Sequence, residues 1–166
     1  KVILPTLNSI IMRRVFITGG GHGIGRAIVE AFTKHGDKVA FCDIDTSRGN
    51  DVAVATGAEF FALDVCDKVA LEGAMQTLFD RWEDIDIIVN NVGIGGFEPI
   101  TDTTIEHFDR VINTNLRPAF ITSRMLAMHR KKMHATNSYG RIVNICSTRY
   151  LQSEAGTEAY SASKGG

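Results

Sequence analysis

The amino-acid sequence predicts an α/β fold: a doubly wound parallel sheet with helices on both faces, a three-layer α/β/α arrangement. Two observations predict it. Short apolar runs alternate with segments whose apolar residues recur at helical spacing, the pattern of a parallel sheet covered on both sides. In addition, the first apolar run ends directly in glycines, as a buried strand does when it turns sharply into a helix.

The elements follow in order. Arg14–Thr18 is the first strand, and Ile24, Ala27, Ile28, Ala31 and Phe32 mark one face of a helix closing near Gly36. Lys38–Asp43 is a second strand, Thr46–Thr56 a polar helix, and Glu59–Val65 a third strand. Asp67 caps a helix with a buried stripe of Leu71, Ala74, Met75, Leu78, Phe79 and Trp82. Asp86–Asn90 is a fourth strand, followed by the loop Asn91–Pro99. Thr103 and Glu106 have capping-box spacing and open a helical stretch running to about His134. Pro118 has no N–H for the carbonyl of Thr114, so a kink is expected there. Gly140–Cys146 is a fifth strand, Thr148–Gly156 a loop, and a last helix begins near Thr157.

The chain has 166 residues, 18 Lys and Arg against 19 Asp and Glu, a net charge of −1 and a hydrophobic fraction of 44%. That composition describes a globular domain rather than a disordered chain. A charge near zero supplies no broad field for nucleic acid or anionic lipid, and no apolar run approaches the roughly 18 residues of a membrane span. Neither partner is expected. Cys42, Cys66 and Cys146 form no C-x-x-C pair and leave an odd thiol if two join, which favours reduced thiols and a cytoplasmic location. His35, His107, His129 and His134 lack metal-ligand spacing, so no metal is expected. The cluster His129-Arg130-Lys131-Lys132 reads as a solvated helix end, and Phe60, Phe61 and Trp82 as core.

Ligands of such sheets bind beyond the carboxyl ends of the strands, and every motif falls there. Thr18-Gly19-Gly20-Gly21-His22-Gly23-Ile24-Gly25-Arg26 joins the first strand to the first helix. Its glycines let the backbone approach a pyrophosphate, whose charge meets free N–H groups and the positive end of the helix. The segment misses strict G-x-G-x-x-G, and it misses a P-loop because Arg26-Ala27 replaces Lys-Ser/Thr. It matches T-G-x-x-x-G-x-G through Thr18, Gly19, Gly23 and Gly25. Asp43, ending the second strand, stands where a carboxylate would bind an adenosine ribose and repel a 2′-phosphate, favouring NAD over NADP. An ordinary turn aspartate is the alternative, and His22 and Arg26 are a mild signal for NADP. Tyr160 and Lys164 lie four residues apart, on one helix face. A tyrosine of pKa near 10 is roughly 4 kcal/mol from its phenolate at pH 7, a gap that a neighbouring cation narrows.

Taken together, these motifs resemble the short-chain dehydrogenase/reductase family, whose members carry a Rossmann-like fold. The resemblance runs from Arg14 to the end. It implies NAD binding by Gly19, Gly21, His22, Gly23, Ile24, Gly25, Asp43 and Ile44. It adds Asp64 and Val65 at the adenine, although Asp64 alone would read as a turn or capping residue. Asn91 and Gly93 resemble two positions of N-N-A-G, with Val92 a departure that bears on how closely the loop packs. Tyr160 is implied to exchange a proton with the substrate oxygen, Ser147 to hydrogen-bond that oxygen, and Lys164 to tune Tyr160 and hold the nicotinamide ribose. Asn115 is implied to anchor a water relay, with polar helix surface as the alternative. The usual serine pair after the fifth strand is Cys146-Ser147 here.

The implied reaction interconverts a secondary alcohol and a ketone, and full-length relatives are expected to be homo-oligomers. Residues 1–11 are expected to be a leader or cloning remnant and 12–166 a single nucleotide-binding domain. Family members are domains of roughly 250 residues, so the C-terminal part is expected to be missing, with the last helix cut within its first turns. A second expectation follows: a truncated nucleotide-binding fragment that binds NAD weakly or not at all and has no turnover.

Overall fold

The computed structural model describes residues 12–133 and 140–166. The expected leader, residues 1–11, and the helix end predicted at His134 lie outside the described residues. Five parallel strands form one sheet in the order β3-β2-β1-β4-β5. They are β1 (Arg14–Thr18), β2 (Lys38–Asp43), β3 (Glu59–Ala62), β4 (Ile87–Asn90) and β5 (Arg141–Asn144). The helices are α1 (Gly23–His35), α2 (Thr46–Thr56), α3 (Lys68–Trp82), α4 (Ile105–Asn115), α5 (Arg117–Lys132) and α6 (Glu158–Gly165).

Side chains alternate across each strand, so the sheet feeds two cores. Phe16 stands in register with Ala40 and Ile88, and this set packs with Leu71, Met75, Leu78 and Phe79 of α3 and with Ile121 and Leu126 of α5. Val15, Ile17, Val39, Phe41, Ile87 and Val89 point the other way, onto Val29 of α1 and Val52 of α2. Continuous apolar strands therefore have a helix layer on each side, as the sequence predicts. All six residues of the predicted α3 stripe are buried, and the Asp67 carboxylate accepts from the N–H groups of Val69 and Ala70.

Several predicted details differ. In α1 the buried residues are Gly25 and Val29, with Ile28 and Phe32 only partly buried and Ile24, Ala27 and Ala31 exposed. Ile28 and Phe32 pack against the same core as Val29, so the inward face is Gly25, Ile28, Val29 and Phe32, rotated from the predicted one. β3 ends at Ala62 rather than Val65, because Asp64 turns the chain by accepting from Cys66 N at 2.8 Å. β4 begins one residue late, at Ile87, and β5 is shorter than Gly140–Cys146 at both ends. The α4 cap is Thr104, whose hydroxyl accepts from His107 N at 3.1 Å; Thr103 donates to Pro99 O. The predicted kink is a break: Leu116 separates α4 from α5, with Pro118 near the start of α5.

The basic cluster is only partly a solvated helix end. His129 stacks on Phe79 at 4.0 Å and contacts Glu83 O, and Arg130 donates to Asp84 and to Ile85 O. Lys131 and Lys132 are exposed. At the same end of the sheet Arg14 grips the Asp86 carboxylate through Nε and Nη2, both at 2.9 Å. No helix among the described residues is long and apolar enough to cross a membrane, and no cluster of three or more His, Cys, Asp or Glu among them is arranged to hold a metal.

Candidate active site

The strand order reverses between β1 and β4, and the carboxyl ends of these strands open into a cleft of about 960 Å³. Such a switch point is where open α/β sheets leave room for a ligand. Gly19, His22, Gly23, Ile24 and Gly25 line it from the β1–α1 turn. All three of these glycines sit where a side chain is disfavoured. Gly19 and Gly23 have φ +71° and +55°, and a Cβ on Gly25 would lie 1.8 Å from the Gly19 carbonyl oxygen. The close approach of Gly25 to Gly19 accommodates the rotation of α1 that turns Val29 to the sheet and leaves Ile24 at the cleft. The first turn of α1 carries no carboxylate, so its positive end faces the cleft uncompensated by an acidic side chain.

Asp43 lies at the cleft beside this turn with its side chain only 5% exposed. Its carboxylate accepts from Gly21 N at 2.8 Å and from Asp45 N at 2.9 Å, and His22 Nδ1 lies 3.9 Å away. Gly21 itself does not line the cleft; it ties the glycine turn to β2. Ile44, Asp64 and Val65 continue the wall, Val65 largely buried in the α3-side core.

Asn91 is the stitch between β4 and the glycine turn. Its side-chain amide donates to Thr18 O at 3.1 Å and to Gly19 O at 3.0 Å, while its backbone N–H donates to the Thr18 hydroxyl. Val92, the departure from the family pattern, fits because it faces a glycine: a Cβ on Gly19 would lie 2.8 Å from Val92 Cγ2. Gly93 opens the cleft toward Lys164. Asn115 sits behind the wall rather than on it. Its Oδ1 accepts from Ile94 N at 2.8 Å, and its Nδ2 donates to Ile94 O at 3.0 Å and Ser163 Oγ at 2.9 Å.

Tyr160 and Lys164 share one face of α6 and both line the cleft, with Lys164 Nζ 5.7 Å from the Tyr160 ring centre. Lys164 donates to Ile145 O at 2.7 Å, which ties α6 to the end of β5. Ser147 is not among the cleft-lining residues. It begins a short 3-10 turn, Thr148–Tyr150, where its hydroxyl accepts from Arg149 N at 3.2 Å.

Sequence reasoning missed part of the wall. Arg110, Asn113 and Thr114 line the cleft from one face of α4, and their i, i+3, i+4 spacing was a legible signal. Cys66, whose thiol lies 3.3 Å from Thr114 Oγ1, and Cys146 also line it. Phe97 stands opposite Tyr160, ring centres 6.1 Å apart, a pairing between distant segments that no local pattern announces.

Comparisons with known proteins show the family to which this fold belongs. Residues 13–166 match the short chain dehydrogenase family. An oxidoreductase of Thermotoga maritima, described as uncharacterized, is 36% identical over 155 residues, covering 90% of this chain and 59% of that protein. Sorbitol dehydrogenase of Cereibacter sphaeroides is 33% identical, over 92% of this chain and 59% of its own. The crystal structure of 3-ketoacyl-(acyl-carrier-protein) reductase from Brucella melitensis, complexed with NADH, superposes with a TM-score of 0.87 at 30% identity, covering 95% of this chain and 66% of that one. The chain thus spans about 59% of the length of these two curated relatives. With the glycine turn, the Asn91 stitch and the Tyr160–Lys164 pair in one cleft, and a family match over nearly its whole length, the chain belongs to the short-chain dehydrogenase family.

Proposed function

We propose that the protein is an NAD-dependent oxidoreductase that interconverts a secondary alcohol and a ketone. The observation that carries this reading is the continuity of one cleft from the glycine turn and Asp43 to Tyr160 and Lys164. The residues present fit a dinucleotide: the glycine turn leaves backbone at the surface where a side chain would collide, and the end of α1 offers N–H groups to a pyrophosphate. Gly19, Gly23, Ile24, Gly25, Asp43, Ile44, Asp64, Val65, Asn91 and Gly93 would hold NAD, with Gly21 and His22 shaping the turn. The cofactor, when bound, supplies hydride transfer at its nicotinamide ring.

The remaining work falls to the chain. Tyr160 gives a proton to, or takes one from, the substrate oxygen at its phenol oxygen. Lys164 places a cation beside that phenol, its Nζ 5.7 Å from the ring centre. Ser147, just outside the residues that line the cleft, would donate a hydrogen bond to the same oxygen; accepting from Arg149 N leaves its O–H free to do so. Asn115 holds the loop at Ile94 and the helix at Ser163 together, so that both sides of the reaction space keep their separation. The buried Asp43 carboxylate disfavours a 2′-phosphate by like charge, which selects NAD over NADP.

Two measurements test the reading. NAD reduction in the presence of secondary alcohols should be abolished by Tyr160→Phe; turnover that survives the substitution refutes the role of Tyr160. Calorimetric titration should show NAD binding more tightly than NADP, with the discrimination lessened in Asp43→Ala. An unchanged preference in that variant refutes Asp43 as the selector.

A further inference from the structure

The loop after β4 is fixed at points on both sides of Phe97. On one side Asn115 pairs with both the N–H and the carbonyl of Ile94. Next, the His107 ring packs so closely on Gly96 that a Cβ there would lie 2.2 Å from Nε2. On the other side Glu98 N donates to Gly156 O at 3.0 Å. Between these anchors the Phe97 ring is 69% exposed, lines the cleft, and stands 6.1 Å from the Tyr160 ring at a tilt of 50°. An aromatic ring held in the open by a pinned backbone presents apolar area that gains from being covered.

Two of the polar groups at this end of the cleft are held by the fold. The Asn115 amide is engaged by Ile94 and Ser163, and Lys164 Nζ by Ile145 O. Ile94, Gly95 and Ile145 complete this end of the cleft among the described residues. A hydrocarbon group laid on Phe97, Ile94 and Ile145 gains by covering apolar area, whereas a polyol placed there sheds water from hydroxyls that these three side chains cannot hydrogen-bond.

We propose that Phe97 is a specificity-determining residue that selects secondary alcohols bearing a hydrocarbon ring or chain over polyols. The proposal rests on the reading of Tyr160 as the group that meets the substrate oxygen. A pinned apolar platform discriminates about tenfold or more per hydrocarbon increment that it covers.

The test uses cyclohexanol and sorbitol with the parent chain, Phe97→Ala and Phe97→Leu, all checked for unchanged thermal melting, as expected for an exposed side chain. Cyclohexanol should show intermolecular NOEs to the Phe97 ring that sorbitol lacks, a readout independent of turnover. The ratio of kcat/KM for cyclohexanol over sorbitol should exceed one in the parent, fall about tenfold or more in Phe97→Ala, and be largely restored in Phe97→Leu. NOEs without NAD reduction support the platform while refuting the redox reading. Turnover that depends on Tyr160 with a ratio unmoved by Phe97→Ala, or with sorbitol preferred, overturns the platform and leaves the redox reading standing. Absence of the NOEs with either alcohol also overturns it.

Discussion

Replacing Asn115 by Ala removes three hydrogen bonds at once: one accepted from Ile94 N, one donated to Ile94 O and one donated to Ser163 Oγ. A net value of about 1 kcal/mol for each gives about 3 kcal/mol. Asn115 is half-buried, so water replaces part of what is lost, and the expected destabilisation is about 2 kcal/mol. For a domain of this size that corresponds to a fall in Tm of roughly 4–8 °C. Urea denaturation gives the free energy, and hydrogen exchange at the Ile94 amide reports the local effect: its protection should collapse while the β1 amides keep theirs. Asn115→Asp keeps an acceptor for Ile94 N but turns oxygens toward Ile94 O, and should be destabilised nearly as much as Asn115→Ala. An Asn115→Ala variant within about 0.5 kcal/mol of the parent, with Ile94 protection intact, refutes the assignment of Asn115 as the tie between loop and α6.

Gly25→Ala drives a methyl group into the Gly19 carbonyl and the Asn91 amide, so it should cost about 1–3 kcal/mol in urea denaturation and abolish NAD binding by calorimetry; a variant silent in both refutes the steric requirement. Burial raises the Asp86 carboxyl, but the hydrogen bonds and charge of Arg14, with Arg130 beyond, outweigh it and hold the group below the ordinary carboxylate range. Its folded value is depressed, so its contribution is present above the unfolded value near ~3.9 and is lost as pH falls through the folded value. Asp86→Asn should therefore be less stable than the parent by about 2 kcal/mol at pH 7, with the gap closing below about pH 4; a gap independent of pH refutes this. Burial pushes the Cys42 thiol up to about 12 and raises Cys66 as well, whereas Cys146 is exposed. Iodoacetamide at pH 8 should alkylate Cys146 first, Cys66 more slowly and Cys42 only on unfolding, an order that peptide mass mapping checks.

Much of this architecture is legible in local patterns. The run Val15-Phe16-Ile17 followed by glycines announces a buried strand and its turn, because both are consequences of neighbouring residues. The α3 stripe from Leu71 to Trp82 is buried to the last residue, since one strong helical periodicity leaves one face to bury. The order of the strand-end motifs, from Thr18 to Lys164, places them at one end of the sheet before any distance is known.

Other features depend on specific contacts that periodicity and spacing do not contain. The inward face of α1 keeps Ile28 and Phe32 of the predicted stripe but adds Gly25 and Val29 in place of Ile24, Ala27 and Ala31, a rotation that the close approach of Gly25 to Gly19 accommodates. Thr103 and Thr104 are both competent caps, and the Pro99 carbonyl took the hydroxyl of the first, leaving the second to cap. Ser147 has the expected spacing from Tyr160 but is not among the residues lining the cleft, and its oxygen accepts from Arg149 N in the turn that follows β5. The sequence by itself determined the sheet, its helices and the end at which chemistry gathers, since these arise from periodicity, turn residues and strand order. Only the tertiary structure decided which side chains meet there: Asn115 with Ile94 and Ser163, Lys164 with Ile145, Phe97 with Tyr160. Those pairings are set by the packing of whole elements against one another, a property that no local stretch of sequence contains.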